Sequence, residues 1–365
     1  MKKILAMLLA LTLTVSAAAC GQTKPAQTET MVSTEAASGE TETAAATEAP
    51  AQTEASSEAV SHYPITVTDQ AGREVTIHQE PQKLVSGYYI STSLFIALGL
   101  EEKLVGIEAK ADERPIYQLS APELTALPSV GSVKEFDLEG CAALEPDLVI
   151  LPLKLESAAE TLESLEIPVL LVNPKDQALL TEMVRLIGDA TDTQEQAQSL
   201  LDFTSAQEAR LTEALEGVQA PSVYLAGNSS LLSTAGDAMY QSDLIRLAGG
   251  ANAASEITDT YWAEISYEQL LAWDPEYIIL ASDATYSVED ILSDPNLADC
   301  TAVATGHVYQ MPSKAEAWDS PVPSGILGAV WLSGVLHPEE CPEEEAEALI
   351  DEYYETFYGF TYSEN

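Results

Sequence analysis

Positive charge is scarce in this chain. Lys and Arg number 15 against 59 Asp plus Glu, for a formal net charge of −44. Nucleic-acid binding needs a basic footprint, so that class of partner is excluded. Histidine is scarce too, with four in all, and only His78, His307 and His337 lie beyond the first 62 residues. A site for bare zinc or manganese, which draws on converging imidazoles and carboxylates, has little to build from. Cysteine also numbers four, without a C-x-x-C pair. Beyond Cys20, the set Cys141, Cys300 and Cys341 allows at most one disulfide and leaves a thiol over. No Walker loop, G-x-G-x-x-G, G-x-S-x-G or H-E-x-x-H is present, which removes the commonest signatures of nucleotide, hydrolase and metalloprotease chemistry. A hydrolase of scattered residues would leave no such mark. Apart from the extreme N-terminus, no apolar run is long enough to cross a bilayer.

The N-terminus carries an address. Lys2 and Lys3 precede an apolar run, Ile4 to Val15, which is too short for a spanning helix. Ala17-Ala18-Ala19-Cys20-Gly21 follows. Small residues before a cysteine match a bacterial lipoprotein box, so residues 1–19 read as a signal peptide and Cys20 as the lipidated new N-terminus. Plain secretion is the alternative, since the three alanines also suit ordinary cleavage. Residues 20–62 are rich in Thr, Glu, Ala and Ser. Such a segment cannot bury enough apolar surface to offset its ordering entropy. It is expected to be a disordered tether with an end-to-end distance of roughly 35 Å. The protein is therefore expected on the extracytoplasmic face of a bacterial membrane, held there by lipid on Cys20.

About 300 residues remain, enough for two lobes with cores of their own. Between them lies the stretch 193–216, free of Gly and Pro. Thr193 and Gln196 resemble a capping box, Gly217 is a natural stop, and such a helix would be about 36 Å long. The expected architecture is α/β. It has two lobes with mostly parallel sheets, joined by one long helix. An N-terminal lobe would span 63–175, connecting helices 176–217, a C-terminal lobe 218–357 and a tail 358–365. An ordinary surface helix within one large domain is the alternative. In the first lobe, 65–69 and 74–77 predict a hairpin. The apolar runs 83–86, 104–107, 148–151 and 169–172 predict strands of a buried parallel sheet. In the second lobe, 223–226, 231–233, 277–280 and 308–311 predict strands, and 324–336 and 343–357 helices.

One unit occurs twice. Glu139 through Leu151 and Glu268 through Leu280 each place a Glu seven residues before a Pro, an acid on both sides of that Pro, and then an apolar strand. The copies fall on either side of 193–216, which favours two related lobes and a strut.

These residues, with Thr66-Val67-Thr68-Asp69, Gly72-Arg73-Glu74-Val75, Leu98-Gly99-Leu100, Gly249-Gly250-Ala251-Asn252, Ile265-Ser266-Tyr267-Glu268 and Leu336-His337-Pro338-Glu339, carry a resemblance. The chain resembles the substrate-binding lipoproteins of bacterial ABC importers for ferric siderophores, haem and vitamin B12, from Tyr63 to about Phe357. The resemblance implies two α/β lobes bridged by a long helix, ligand in the cleft, no catalysis, no cofactor beyond a bound metal chelate, and monomeric delivery to a permease dimer with its ATPase. It implies that Glu139 and Glu268, one per lobe, dock onto permease arginines. Many siderophore binders of this kind line the cleft with arginines, and this chain has few to offer.

Open parallel sheets bind ligands at the carboxyl ends of their strands. Residues just after predicted strands in the first lobe are Tyr88, Tyr89, Lys110, Arg114 and Lys154. Loop aromatics of the second lobe are Tyr261, Trp262, Tyr286 and Trp318, whereas Trp273 and Trp331 fall in apolar helical patterns and read as core. The basic three could neutralise an anionic ferric siderophore, the first expectation for the ligand. A corrinoid would need them less, and haem could use Tyr88 or Tyr89 as an axial ligand.

Overall fold

The computed structural model describes residues 62–260 and 262–365. Tyr261, Cys20, the signal segment and nearly all of the tether lie outside the described residues. The hairpin forms as expected, with β1 (Ile65–Thr68) antiparallel to β2 (Glu74–Ile77).

The first lobe is built on β3 (Leu84–Ser86), β4 (Leu104–Gly106), β5 (Leu148–Pro152) and β6 (Val169–Val172). They form a wholly parallel sheet in the order β4-β3-β5-β6. Every residue of β3, β5 and β6 is buried, as continuous apolar runs require when helices cover both faces. Those helices are α1 (Tyr89–Ala97), α2 (Pro115–Ser120), α3 (Leu138–Ala143) and α4 (Glu156–Glu163).

Two helices follow, α5 (Gln177–Thr191) and α6 (Gln194–Ala214). Gly188 permits their sharp junction, because a Cβ there would stand 2.7 Å from the methyl of Ala197. The capping box expected at Thr193 does not form. Its hydroxyl pairs instead with that of Thr191 at 2.9 Å, and α6 starts without a side-chain cap. With 21 residues, α6 is about 32 Å long.

The second lobe holds a mixed sheet of β7 (Ser222–Ala226), β8 (Ser233–Ala235), β9 (Ala251–Asn252), β10 (Trp262–Glu264), β11 (Tyr277–Leu280) and β12 (Val308–Gln310). Its path is β10-β8-β7-β11-β12, with β9 also paired to β7. The helices are α7 (Tyr240–Leu247), α8 (Tyr267–Trp273), α9 (Val288–Leu292), α10 (Thr301–Thr305), α11 (Ile326–Leu336) and α12 (Glu343–Tyr358).

The sequence repeat is a structural repeat. The short α3 leads into β5, which pairs in parallel with β3 and β6; α8 leads into β11, which pairs in parallel with β7 and β12. The residue before the shared proline, Glu145 or Asp274, has positive φ in both copies (50° and 43°). Helix α6 packs on α5, α7 and α11. It is not the sole tie, because α12 also packs on α1. There the Ser93 and Tyr358 hydroxyls meet at 2.9 Å in a buried seam. The three cysteines of the folded part are buried and free.

Candidate functional site

The carboxyl ends of β3 and β4 present the first lobe's functional groups. At the end of β3 the chain must turn at once into α1. Gly87 makes that possible, since a Cβ would come within 2.5 Å of the Leu151 side chain. Ser86 and Ser91 both donate to the Tyr88 carbonyl, at 2.9 and 2.7 Å, which fixes where Tyr88 and Tyr89 emerge. After β4, Lys110 takes a left-handed φ of 70° and a short turn delivers Arg114 to the start of α2.

Across from these lie Asp283, just after β11, and the segment following β12. The two sets enclose a cavity of about 460 Å³ lined by Tyr89, Lys110, Arg114 and Tyr117 from one lobe and Glu316 and Ser320 from the other, among others. That volume falls in the usual range for small-molecule sites.

Arg114 is the centre of this cavity's electrostatics. Its guanidinium carbon sits 4.4 Å from the Tyr89 ring centroid, a cation–π contact. Among the described residues it forms no ion pair. Its Nε is buried and has no hydrogen-bond partner. A buried, unpaired charged donor is costly, and proteins keep one where a ligand completes it. Lys110, by contrast, is paired with Glu113 at 2.8 Å on the rim.

Three buried carboxyl groups lie at or next to the lining: Glu316 is part of it, Glu108 bonds to Tyr117 and Asp319 precedes Ser320. Glu108 accepts from Thr92 Oγ1 at 2.6 Å and from the Tyr117 hydroxyl at 2.7 Å. Glu316 accepts from the Ser324 hydroxyl, and Asp319 from the Ser282 N–H at 3.1 Å. Burial pushes all three carboxyls above their ordinary range, against the opposing pull of those hydrogen bonds. The Arg114 charge also pulls Glu108 and Glu316 the other way, more weakly. Burial likewise raises the phenols of Tyr88 and Tyr89.

The other sequence-nominated residues fall elsewhere. Tyr88 makes an edge contact with Tyr89, centroids 5.2 Å apart, behind the lining. Lys154 is exposed and does not reach the cavity. Trp262 belongs to the edge strand β10 rather than a loop; it is exposed and packs over Gly227. The Tyr286 hydroxyl donates to the Gly227 carbonyl at 2.6 Å. Neither lines the cavity. Trp318 is a correction: only 1% exposed, it donates from Nε1 to the Tyr354 hydroxyl at 2.9 Å and belongs to the core. Trp273 and Trp331, expected in the core, are half-buried.

Glu139 and Glu268 occupy matching places. Each is exposed and is the second helical residue behind a side-chain cap, Asp137 accepting from Gly140 N–H and Ser266 from Gln269 N–H. A hydrogen bond from the Ser266 hydroxyl, and then one from its own backbone N–H, holds the Glu268 carboxyl below its usual range.

Comparison with known proteins decides the kinship. The sequence profile described as periplasmic binding protein matches residues 84–315. The chain belongs to the periplasmic binding protein family. It is similar to the molybdate-binding protein MolA of Haemophilus influenzae, at 26% identity over 81% of this chain and 91% of that one. It is also similar to a vitamin B12-binding protein of Pectobacterium carotovorum, at 27% identity over 55% of this chain and 71% of that one. The solved structure of a periplasmic solute binding protein from Veillonella parvula superposes with a TM-score of 0.71. It is 26% identical and covers 81% of this chain and 93% of that one. This periplasmic binding protein is thus a solute-binding component of an ABC importer, which works with a permease and an ATPase. Its relatives are substrate-binding transport proteins. Among the described residues no helix is long and apolar enough to cross a membrane.

The sequence reading missed Glu108, Tyr117, Glu316 and Asp319. A signal for Glu108 was present: it directly follows a buried strand, in the position that singled out Lys110 and Arg114. Glu316 and Asp319 lie in an irregular stretch with no periodicity to mark them.

Proposed function

We propose that this chain captures a compact anionic metal chelate of the ferric siderophore kind in the cleft between its lobes, and passes it to the importer's permease. The observation that carries this reading is Arg114: a guanidinium over the Tyr89 ring, in no ion pair among the described residues, with a buried donor unused. Oxygen-rich anions satisfy such a fork well. The Haemophilus relative's molybdate is itself an oxyanion, which supports an anionic ligand. A corrinoid is the second reading, favoured by the vitamin B12-binding relatives. The test is native mass spectrometry and absorbance on the mature protein offered ferric tricatecholate, ferric hydroxamate, molybdate, cobalamin and haem. A stoichiometric ferric tricatecholate complex is expected; retention of cobalamin or haem alone would refute the reading.

Cys20 is proposed as the lipidated anchor, since Ala17-Ala18-Ala19 precede it and a polar tether follows. Cys20→Ala should move the protein from the membrane fraction to the soluble one. Persistence in the membrane fraction would remove the anchor.

Glu139 and Glu268 are proposed as the permease-docking pair. Each is exposed at the start of a capped helix in its own copy of the repeat. A carboxylate there also favours the helix dipole. Exposed charges of this kind govern oriented, transient contacts more than stability. The double variant Glu139→Ala/Glu268→Ala should keep its ligand affinity and melting temperature, while uptake through the reconstituted importer falls severalfold. Unchanged uptake would leave only the dipole role.

A further inference from the structure

A second cavity, of about 630 Å³, lies within the C-terminal lobe and shares no lining residue with the cleft. Its walls include four aromatic rings, Tyr309, Trp318, Trp331 and Tyr362, and three of these are only half-buried. Its rim carries Glu343 and Glu347, one turn apart and so on one face of α12. Both are exposed, and neither side chain makes a hydrogen bond or ion pair among the described residues. The other charged groups of the lining are engaged. Asp351 accepts from the Ser363 N–H and hydroxyl at 2.7 and 2.6 Å. The Lys314 ammonium donates to the Tyr362 carbonyl at 2.6 Å and sits over its ring. The tail is thereby pinned as one wall, with Tyr362 stacked on Tyr354 at 5.2 Å.

We propose that this cavity binds a small organic ammonium ion with an apolar or aromatic body. Aromatic faces attract a cation through their quadrupole; Lys314 already sits over Tyr362 and Trp318 is buried, so the half-buried Tyr309 and Trp331 are the rings left to an incoming ion. Two unpaired carboxylates beside such rings complete the same preference. Charge also argues against other occupants. The chain's own tether is acidic, and a second copy would carry the same net charge of −44. Both would be repelled by the glutamates at the rim.

The probe is benzyltrimethylammonium, with neopentylbenzene as its neutral carbon isostere, followed by quenching of tryptophan fluorescence in the full mature chain. Saturable quenching by the cation is expected, with at least about tenfold weaker response to the isostere. Glu343→Gln/Glu347→Gln, a pair of surface changes that leaves the fold intact, should weaken the cation by a similar factor, and so should Tyr309→Leu. Ferric tricatecholate binding should be unchanged in these variants, which separates failure here from failure of the cleft reading. Equal affinity for the isostere, an unaffected glutamate double variant, or absence of saturation would each overturn the proposal.

Discussion

Arg114→Ala is expected to weaken binding of ferric tricatecholate by about 10- to 100-fold, the range for losing a hydrogen bond to a charged group. The effect should be large because Arg114 is the one cation of the described lining in no ion pair; Lys110, the other, is already held by Glu113. Arg114→Lys should recover only part of the loss, since an ammonium keeps the charge but loses the planar fork and its stacking on Tyr89. Calorimetric titration of the three proteins checks this. Stability should change little, because Arg114 is not part of a core cluster. Wild-type affinity in Arg114→Ala would show that the ligand sits elsewhere.

Trp318→Ala is expected to act on stability. The ring is among the largest fully buried side chains, donates to the Tyr354 hydroxyl and packs on Tyr362, with centroids 5.3 Å apart. Truncating it leaves a cavity and an orphaned partner, at about 3–5 kcal/mol. For a chain of this size the melting temperature should fall by roughly 6–20 °C. Thermal unfolding measures this directly. The more conservative Trp318→Phe should keep most of the stability and bind ferric tricatecholate as the wild type does. Reduced affinity in a stably folded Trp318→Phe would return this residue to the cleft.

The fate of the tryptophans shows how far the sequence is legible. Buried parallel strands announce themselves as continuous apolar runs, so β5, β6 and β11 were found within a residue or so. The repeat was readable because both copies put an acid, Glu145 or Asp274, in a left-handed turn before proline. Strand ends then pointed to Tyr89, Lys110 and Arg114, all of which line the cavity. Trp318 was misplaced because it lies in an irregular segment. Nothing local in Ala315-Glu316-Ala317-Trp318 reveals that α12 and the tail close over it. Trp262 was read as loop because β10 is only three residues long and its pairing with β8 is nonlocal. The contact between α1 and α12 joins residues 265 apart in the chain, beyond the reach of any periodicity.

On the proposed reading an anionic metal species sits between the lobes against Arg114. Anomalous X-ray scattering at the iron edge, from crystals of the mature protein grown with ferric tricatecholate, tests it most directly. One strong peak is expected in the interlobe cavity, with chelate oxygens within hydrogen-bonding distance of the Arg114 guanidinium and the ring of Tyr89 alongside. A peak in the aromatic cavity of the C-terminal lobe, or no peak in a protein that still binds cobalamin, would contradict it.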